Sequence, residues 1–299
     1  MNDESTMVEQ QKCRLSHRRA TTNFIQPQQI IKNIQTIQPT SRISTGYAFI
    51  DDNGLTEDRD KLVNYIKAYT KQRFEVPKTS LDHYKFLKLI GKGAFGKVTL
   101  GIHKLTGKQV AIKTVDKSLM KDEYQKRKVL QEVHLLKKVR HQNVIRLLEV
   151  FESPKHLLMV MEYAGGGDLL QYVKKRRRLD EEEARRIFRQ VVYGLAHCHC
   201  RSVLHRDIKL DNILLDNEGE IKICDFGVSR IIKKNHRITE QCGTPAYIAP
   251  EIISDSGYDG FSADIWSLGV LLYAMLCGTV PFKAQNMHDL HKIITSGSF

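Results

Sequence analysis

The sequence predicts an α+β fold in which a small antiparallel β region precedes a larger helical region. From Tyr84 onward, apolar residues alternate with other residues, and two alternating stretches flank a glycine-rich turn, as in a β-hairpin. After residue 180 the apolar residues recur at helical spacing, and residues 268–277 are apolar apart from one glycine, which is typical of a buried helix. Consecutive glycines at residues 165–167 suit a hinge between the two regions.

Composition bounds the class of protein and its partners. The 299 residues carry a formal net charge of +13, which favours acidic partners, phosphates above all, although lysines dispersed on solvated helices explain it equally well. The six cysteines follow no disulfide spacing, so we expect reduced thiols in an intracellular protein of the cytoplasm, with the nucleus as the alternative. Residues 1–30 lack an apolar signal region, so no membrane partner is expected.

Two segments precede the β region. Residues 1–55 are polar and rich in glutamine, and they bury too little apolar surface to offset ordering entropy, so they are predicted to be a mostly disordered tail. A partner-binding role through the isoleucines of this tail stays open. Residues 56–80 are predicted to form a short amphipathic helix and a linker, because Thr56 precedes two acidic residues and Pro77 ends the element. The apolar face of the helix carries Leu62, Val63, Ile66 and Tyr69.

A glycine-rich segment holds the first candidate site. Gly91, Gly93 and Gly96 form a G-x-G-x-x-G pattern, which dinucleotide-binding folds also carry. In those folds a helix follows, whereas here alternation continues on both sides of a turn at residues 106–107, which predicts strand, loop and strand. The glycines let the backbone close over phosphate groups without intervening side chains. The segment is therefore predicted to bind a nucleotide.

The next strand and helix supply a lysine and a carboxylate. Ala111 and Lys113 point to one face of a strand, so the small alanine leaves room for a flat base and the ammonium can reach phosphate oxygens. A helix is predicted from about residue 121 to residue 138. Glu132 lies beside its apolar face, and Glu123 is the rival carboxylate. That apolar face consists of Val129, Val133 and Leu136.

Further elements follow the same rules. Residues 144–151 and 156–161 are predicted to form strands. Asp180 is predicted to cap a helix that runs from residue 181 to about residue 199. The residues of this helix that are expected to face inward are Ala184, Ile187, Phe188, Val191, Val192 and Leu195.

Two local patterns have both a functional and a structural interpretation. Residues 174–178 are consecutive basic residues, which suggest nuclear import or nucleic-acid binding, but a solvated helix end is the favoured interpretation. Residues 197–200 alternate histidine and cysteine, which suggests a zinc site. Adjacent residues of a helix face different directions and structural zinc sites space their ligands apart, so we expect an ordinary helix end.

The densest chemical signal lies between residues 205 and 227. Asp207 stands five residues before Asn212 with Lys209 between them, and Asp225 follows thirteen residues after Asn212. One carboxylate can accept the proton of a hydroxyl group. The amide and the other carboxylate can offer oxygens to a hard divalent cation. The stretch therefore suits metal-assisted chemistry on a hydroxyl group.

These pieces, together with the glycine-rich segment and residues 249–251, resemble the motifs of eukaryotic protein kinases. The resemblance covers roughly residues 84–299, and residues 242–247 are similar to those of the calmodulin-dependent/AMP-activated and cyclic-AMP-dependent kinase groups. It implies a two-lobed protein-kinase-like fold, with an N-lobe at residues 84–162 and a C-lobe at residues 163–299. It also implies a serine/threonine protein kinase that uses ATP and Mg²⁺ and acts on protein substrates.

The resemblance implies roles in catalysis. Asp207 would orient the substrate hydroxyl and take its proton, and Lys209 would neutralise the transferring phosphate. Thr244 would contact both of these residues, a feature of serine/threonine-directed members. Asn212 also belongs to this catalytic set, because it would hold magnesium beside Asp207.

The resemblance also implies a nucleotide site. Lys113 would grip the α and β phosphates while an ion pair with Glu132 holds it there, and Asp225 would share the magnesium ion with Asn212. The base would lie against Met161 and bond the backbone of the hinge. The residues that the resemblance assigns to nucleotide binding are Ile90, Gly91, Lys92, Gly93, Ala94, Phe95, Gly96, Lys97, Val98, Ala111, Lys113, Met161, Glu162, Ala164, Leu214 and Asp225.

Comparison with the family's motifs also suggests how the protein is regulated and which substrates it prefers. Where many relatives carry a phosphorylatable threonine, this chain has Glu240, with Thr239 beside it. We hypothesise that Glu240 partly substitutes for a phosphate by pairing with Arg206. Asp168 and Asp211 match two acidic positions that bind a basic residue, so we predict a preference for arginine a few residues before the target hydroxyl.

The chain stops at Phe299, before the last helices of the family, so the C-lobe is expected to be incomplete, as in a fragment or a truncated gene product. Those helices normally supply an arginine to Glu251, which is expected to be a buried carboxylate. The leading interpretation is an active serine/threonine kinase. The alternatives are a catalytically inactive ATP-binding or scaffold module and, least favoured, a nucleic-acid-binding protein that uses residues 174–178. The oligomeric state stays open.

Overall fold

A computed structural model describes residues 52–73, 77–93, 96–120, 122–232, 237–254 and 257–298. Three parts of the predictions lie outside the described residues: residues 1–51 of the expected 1–55 tail, the loop positions Ala94 and Phe95, and the helix start expected at residue 121. Within the described part, residues up to 88 together with residues 100–110 form one compact unit. Residues 89–99 together with those from 111 onward form the other.

Helix α1 spans Asp52–Arg73 and confirms the helix predicted after the polar tail. It begins before Thr56, so residues 52–55, which were expected in the disordered tail, form its first turn instead. The first four N–H groups of any helix lack intrahelical partners, so residues of low helix propensity are tolerated in that turn. Ile66 of the predicted apolar face is buried, whereas Tyr65 beside it is exposed.

Five strands form one sheet of order β1-β2-β3-β5-β4. They are β1 Tyr84–Gly93, β2 Gly96–His103, β3 Gln109–Asp116, β4 Leu147–Glu152 and β5 His156–Glu162. Strand follows strand across the glycine-rich segment, which confirms the predicted hairpin. β4 begins later than expected because Val144 and Ile145 pair elsewhere: the Ile145 N–H donates to the carbonyl oxygen of Ile223 at 2.8 Å.

Gly96 stands where a side chain does not fit. A Cβ atom at this position would lie 1.9 Å from the carbonyl oxygen of Thr114. We therefore expect Gly96→Ala to lower the melting temperature by more than about 4 °C, because β2 or β3 must shift to make room for the added methyl group. Gly91→Ala is the matched control, since its Cβ would meet Val98 at an ordinary 3.6 Å. Thermal unfolding checks the difference, and equal melting temperatures for the two variants would contradict it.

Helix α2 spans Glu123–Lys138 and confirms the predicted helix. Asp122 caps it by accepting the N–H of Gln125 at 2.8 Å. Glu132 is buried, whereas the rival Glu123 is exposed and pairs with Lys126 at 2.6 Å on the helix surface. The predicted apolar face is buried, and one unpredicted residue joins it: Val129, Val133, Leu135 and Leu136.

The helical region is built around one large apolar core and a smaller apolar cluster. Its helices are α3 Leu169–Arg176, α4 Glu181–His199, α5 Pro250–Ile253, α6 Gly260–Cys277 and α7 Met287–Ser296. Its short strands are β6 Gly167–Asp168, β7 Val203–Leu204, β8 Ile213–Leu215, β9 Ile221–Ile223 and β10 Arg230–Ile231, in sheets of order β6-β8-β9 and β10-β7. Asp180 caps α4, and the predicted inward residues of that helix lie in or against the core.

Helix α6 is the core helix that the apolar run predicts. By length and composition it could cross a membrane, but half of it is buried inside the fold. Its Asp264 is 1% exposed, and a buried carboxylate of this kind requires polar partners, which the candidate site supplies. Glu251 of α5, which was expected to be buried, is only half-buried, so water relieves the cost that was assigned to its charge.

The two ambiguous patterns have structural explanations. Residues 174–178 are exposed at and just beyond the end of α3, and the guanidinium of Arg176 lies 3.8 Å from the centre of the Tyr172 ring. This is the solvated helix end that the sequence favours. In the zinc-like run, Cys198 is buried and Cys200 is exposed, so they face different ways. Among the described residues, no group of three or more histidine, cysteine or carboxylate side chains could hold a metal ion.

A neutral histidine pair lies beside α4. The rings of His141 and His197 lie with their centroids 4.8 Å apart and their planes inclined by 38°. Nδ1 of His141 accepts the N–H of Asn143 at 3.1 Å, and Nδ1 of His197 lies 3.1 Å from the guanidinium of Arg201. Burial lowers the pKa of His197 to about 4, assisted by the charge of Arg201 and by His141. Burial, Arg201 and Lys222 also lower the pKa of His141. Both rings are therefore neutral at neutral pH.

This pair predicts a loss of stability in acid. The unfolded chain binds protons on these rings at a pH where the folded protein does not, so the free energy of unfolding should fall as the pH drops from about 6.5 towards about 4. Urea unfolding near pH 7 and near pH 5 measures the change. His197→Gln should flatten the dependence, and His288→Gln at an exposed position should not. An unchanged slope in His197→Gln would count against this explanation.

Candidate active site

One buried carboxylate fixes the loop at residues 205–212. Asp264 accepts the N–H of His205 at 3.0 Å and the N–H of Arg206 at 2.8 Å. Nε2 of His199 lies 2.8 Å from the same carboxylate. Arg206 has a φ of 67°, a left-handed conformation that residues other than glycine rarely adopt. The bonds to Asp264 therefore hold the loop in a shape that it would otherwise avoid.

Four of the predicted site residues form one cluster around Asp207. Thr244 donates its backbone N–H at 3.0 Å and its hydroxyl at 2.7 Å to Oδ1 of Asp207. Asn212 donates its amide nitrogen to Oδ2 at 3.0 Å, and Nζ of Lys209 lies 2.9 Å from that oxygen. Lys209 also donates to the Thr244 hydroxyl at 2.7 Å. The fold thus brings together a carboxylate, an ammonium group and a hydroxyl from two distant stretches of the chain.

The surroundings of Asp207 keep its carboxylate ionised. Burial favours the protonated form, but hydrogen bonds from Lys209, Thr244 and Asn212 outweigh burial and hold the pKa of Asp207 below its ordinary value. Its side chain is 14% exposed, so a substrate group can still reach it. At neutral pH the carboxylate is therefore a charged and partly exposed acceptor.

Asn212 and Asp225 present oxygen atoms that suit magnesium. Asn212 uses its amide nitrogen for bonds to the carbonyl oxygen and the carboxylate of Asp207, and across the described ranges no donor bonds its amide oxygen. Asp225 is exposed, and one of its carboxylate oxygens accepts the N–H of Gly227 at 3.3 Å. Mg²⁺ binds proteins through one or two such oxygens and takes its other ligands from phosphate and water. The residues present therefore fit this ion.

The direction of Asp225 is set by its neighbours. Phe226 is 1% exposed and meets the His205 ring edge-to-face, with centroids 5.0 Å apart. Nε2 of His205 lies 3.0 Å from the carbonyl oxygen of Cys224. Asp225 itself has a φ of 62°, an uncommon conformation for a residue with a side chain. Because the residues on both sides are anchored in the core, the Asp225 carboxylate is left facing outward.

Lys113 and Glu132 form the predicted ion pair. Nζ of Lys113 lies 2.6 Å from Oε1 of Glu132, and the two side chains are 26% and 7% exposed. Burial raises the pKa of the Cys224 thiol to about 12, while the charge of Asp225 adds to the rise and the charge of Lys113 opposes it. The charges of Lys113 and Asp225 therefore both affect the pKa of the thiol of Cys224, the residue that precedes the proposed metal ligand Asp225.

Of the other predicted nucleotide residues, those that the structure describes lie on strands, except for Ala164, which lies in the segment after β5. Ile90, Gly91, Lys92 and Gly93 belong to β1, Gly96, Lys97 and Val98 to β2, Ala111 to β3, Met161 and Glu162 to β5, and Leu214 to β8. Glu162 makes contacts that its position in the sequence does not indicate. Its N–H donates to the carbonyl oxygen of Arg146 at 2.9 Å. Its carboxylate accepts the Arg146 N–H at 2.9 Å and lies 3.4 Å from Nζ of Lys222.

Sequence reasoning missed two residues of α2 that reach the Glu240 carboxylate. Tyr124 donates its hydroxyl to Glu240 at 3.0 Å, and Nζ of Lys128 lies 3.7 Å away. Tyr124, Lys128 and Glu132 are spaced by four residues, so they share one helical face, and that spacing is the signal that indicates them. The hypothesised pair of Glu240 with Arg206 is present at 3.1 Å.

Known proteins resemble this chain over the part that carries the site. Residues 84–298 match the protein kinase domain. The serine/threonine protein kinase OSK3 of Oryza sativa subsp. indica is 42% identical over 220 residues, which cover 74% of this chain and 43% of that protein. The serine/threonine-protein kinase SIK3 homolog of Danio rerio is 42% identical over 223 residues, which cover 75% of this chain and 19% of that protein. The chain thus spans less than half the length of these relatives.

Proposed function

Because the chain belongs to the protein kinase family, we propose that it transfers the γ-phosphate of ATP to serine and threonine hydroxyls of protein substrates. The observation that carries the proposal is the cluster in which Lys209, Thr244 and Asn212 all bond Asp207. The two relatives described above bear the name serine/threonine protein kinase, which supports these hydroxyls over tyrosine.

Each step of the transfer has a residue that suits it. As the substrate oxygen bonds to the γ-phosphorus and the bond to the β–γ bridging oxygen breaks, the hydroxyl proton passes to Asp207. Lys209, which already lies 2.9 Å from Asp207, offers its ammonium to the charge of the moving group. Lys113 orients the other phosphates, and Glu132 prevents its ammonium from swinging away.

A magnesium ion would neutralise charge on the β and γ phosphates when it is bound. Asn212 and Asp225 would hold it, since both offer oxygens and the N–H of Cys224, the residue before Asp225, donates to the carbonyl oxygen of Asn212 at 2.9 Å. The side-chain nitrogen of Asn212 points the other way, to Asp207, so one residue serves both the metal and the base. This double use links the position of the metal to the position of the proton acceptor.

The proposal is tested by measuring binding and transfer on the same sample. The purified chain is incubated with γ-labelled ATP, magnesium and a mixture of serine- and threonine-containing peptides. We expect label on the peptides, and we expect a chelator to abolish the transfer because the oxygen ligands then hold no cation. Magnesium-dependent ATP binding without any transfer would overturn the proposal and favour an inactive ATP-binding module.

We further propose a preference for arginine before the target hydroxyl, which Asp168 and Asp211 would bind. Asp168 caps α3 by accepting the Gln171 N–H at 2.8 Å, so Asp168→Asn keeps the cap and removes only the charge. We expect this variant to lower kcat/KM for an arginine-containing peptide by at least about tenfold, because the peptide arginine loses a hydrogen bond to a charged carboxylate. Kinetics with arginine and alanine versions of one peptide measure the effect.

The matched control for this prediction is Asp180→Asn. Asp180 caps α4 in the same way, through the Glu183 N–H at 2.8 Å. The control should leave kcat/KM for both peptides unchanged, since an asparagine caps a helix about as well as an aspartate. A peptide array without arginine bias, or equal losses in the two variants, would show that Asp168 does not select the substrate.

A further inference from the structure

The carboxylate of Glu240 lies where three parts of the chain meet. Its Oε2 accepts Nη1–H of Arg206, in the 205–212 loop, at 3.1 Å and lies 3.8 Å from Nη1 of Arg230 on β10. Its Oε1 accepts the Tyr124 hydroxyl at 3.0 Å and lies 3.7 Å from Nζ of Lys128, both on α2. One side chain therefore bonds a loop that holds Asp207, a helix that holds Glu132, and a strand between them.

The groups around this carboxylate are themselves anchored. The Tyr258 hydroxyl donates to the backbone carbonyl of Glu240 at 3.0 Å, and Tyr258 exchanges two backbone hydrogen bonds with Ile238. Nε of Arg206 donates to the carbonyl oxygen of Val228 at 2.6 Å, and the Arg206 side chain is 6% exposed. Arg206 and the backbone of Glu240 are thus both held in place, which is the arrangement that gives a charged hydrogen bond its full strength.

The site carries more positive charge than Glu240 neutralises. Arg206, Arg230 and Lys128 face this single carboxylate, and no second carboxylate pairs with any of them in the part of the chain that the structure describes. An anion with more charge and more acceptor oxygens than a carboxylate, such as phosphate, suits the same donors. The geometry therefore defines an anion site that the side chain of Glu240 fills.

The link to catalysis runs along α2. Tyr124 and Lys128 share one helical face with Glu132, whose carboxylate lies 2.6 Å from Nζ of Lys113. Because Glu240 contacts both that face and Arg206, it fixes the helix relative to the 205–212 loop. Without these contacts of Glu240, α2 can move as a rigid element and take Glu132 away from Lys113.

We propose that Glu240 is a positioning residue, that it occupies a built-in anion site joining α2 to the 205–212 loop, and that transfer therefore needs no modification of the exposed Thr239. This inference rests on the proposed kinase function and names the regulation of the same site. Charge at residue 240 sets the activity, and the hydroxyl at residue 239 does not.

The first test compares charge with shape. We expect Glu240→Gln, which keeps the shape and removes the charge, to lower kcat/KM for ATP by about 5–150-fold, the usual range for coupling between two sites. Glu240→Asp should recover part of the loss because it restores the charge. Thr239→Ala should match the unmodified wild-type protein. Tyr124→Phe removes one of the two links between Glu240 and α2 and leaves the pair with Arg206, so it should raise KM for ATP more than it lowers kcat.

The second test uses inorganic phosphate as the probe. Glu240→Ala opens the anion site without removing its cations, so added phosphate should restore part of the lost rate in this variant. The same phosphate should give no gain in the wild type, where the carboxylate fills the site, or in Glu240→Gln, where the amide still occupies the space. A gain confined to Glu240→Ala would not follow from a loss of fold stability.

The outcomes separate this inference from the proposed function. An inactive wild-type protein that still binds ATP overturns the kinase activity itself. An active wild type with an equally active Glu240→Gln overturns the positioning role alone, as does an inactive Thr239→Ala. Absence of phosphate rescue in a folded Glu240→Ala, as judged by its melting temperature, overturns the anion site.

Discussion

Replacing Asp207 with asparagine is expected to lower kcat by about 10²–10⁴-fold, the usual contribution of a positioned general base. The substitution keeps the size of the side chain but removes the acceptor that takes the hydroxyl proton. It also places an amide beside Lys209 and Thr244, which both donate to Oδ atoms of Asp207 in the native cluster. Steady-state kinetics on a serine-containing peptide measure the loss.

ATP binding should survive this substitution. Lys113 and Glu132 lie on β3 and α2, and neither hydrogen-bonds Asp207 in the described structure. The dissociation constant of ATP with magnesium is therefore expected to change little. Glu218→Gln, an acid-to-amide change at an exposed turn, is the matched control and should retain full kcat. A folded Asp207→Asn that turns over at the wild-type rate would contradict the role of Asp207.

Replacing Asp264 with alanine is expected to cause the largest loss of stability. The change leaves the N–H groups of His205 and Arg206 without their acceptor in a buried place, at about 1–3 kcal/mol each. Since whole domains are stable by only about 5–15 kcal/mol, much of the fold's stability would be lost. The change would also remove two of the bonds that hold Arg206 in its left-handed conformation.

The urea concentration at the midpoint of unfolding measures this effect. Asp259→Asn, at the N-cap of the same helix α6, is the matched control. Asp259 accepts the N–H of Ser262 at 3.2 Å, and an asparagine can accept the same bond, so its midpoint should shift little. An Asp264→Ala midpoint within error of the control would show that the Asp264 carboxylate does not stabilise the 205–212 loop.

The parts of the site that the sequence predicts are those whose residues are close in the chain or share a regular element. Asp207, Lys209 and Asn212 lie within one short loop, so their sequence spacing nearly determines their meeting. Glu132 could be chosen over Glu123 because it lies beside an apolar helical face, and the structure buries it. The glycine-rich hairpin followed from alternation on both sides of a turn.

The parts that the sequence did not predict depend on contacts between distant stretches. Val144 and Ile145 have the residues of a strand, but their pairing with Ile223 takes them out of β4. The carboxylate of Glu162 bonds the N–H of Arg146, just before β4, and pairs with Lys222 on β9, and nothing near residue 162 in the chain indicates these partners. Tyr124 illustrates an intermediate case, since its helical face could be read from the spacing but its partner Glu240 could not.

The identity of the labelled residue tests the central claim most directly. The chain and its Asp207→Asn variant, prepared side by side, are given γ-labelled ATP, magnesium and a protein substrate mixture, and the phosphorylated amino acids are separated after acid hydrolysis. A site in which Lys209 and Thr244 bond Asp207 predicts phosphoserine and phosphothreonine from the wild type and almost none from the variant. Phosphotyrosine alone, or equal labelling by the two proteins, would contradict it.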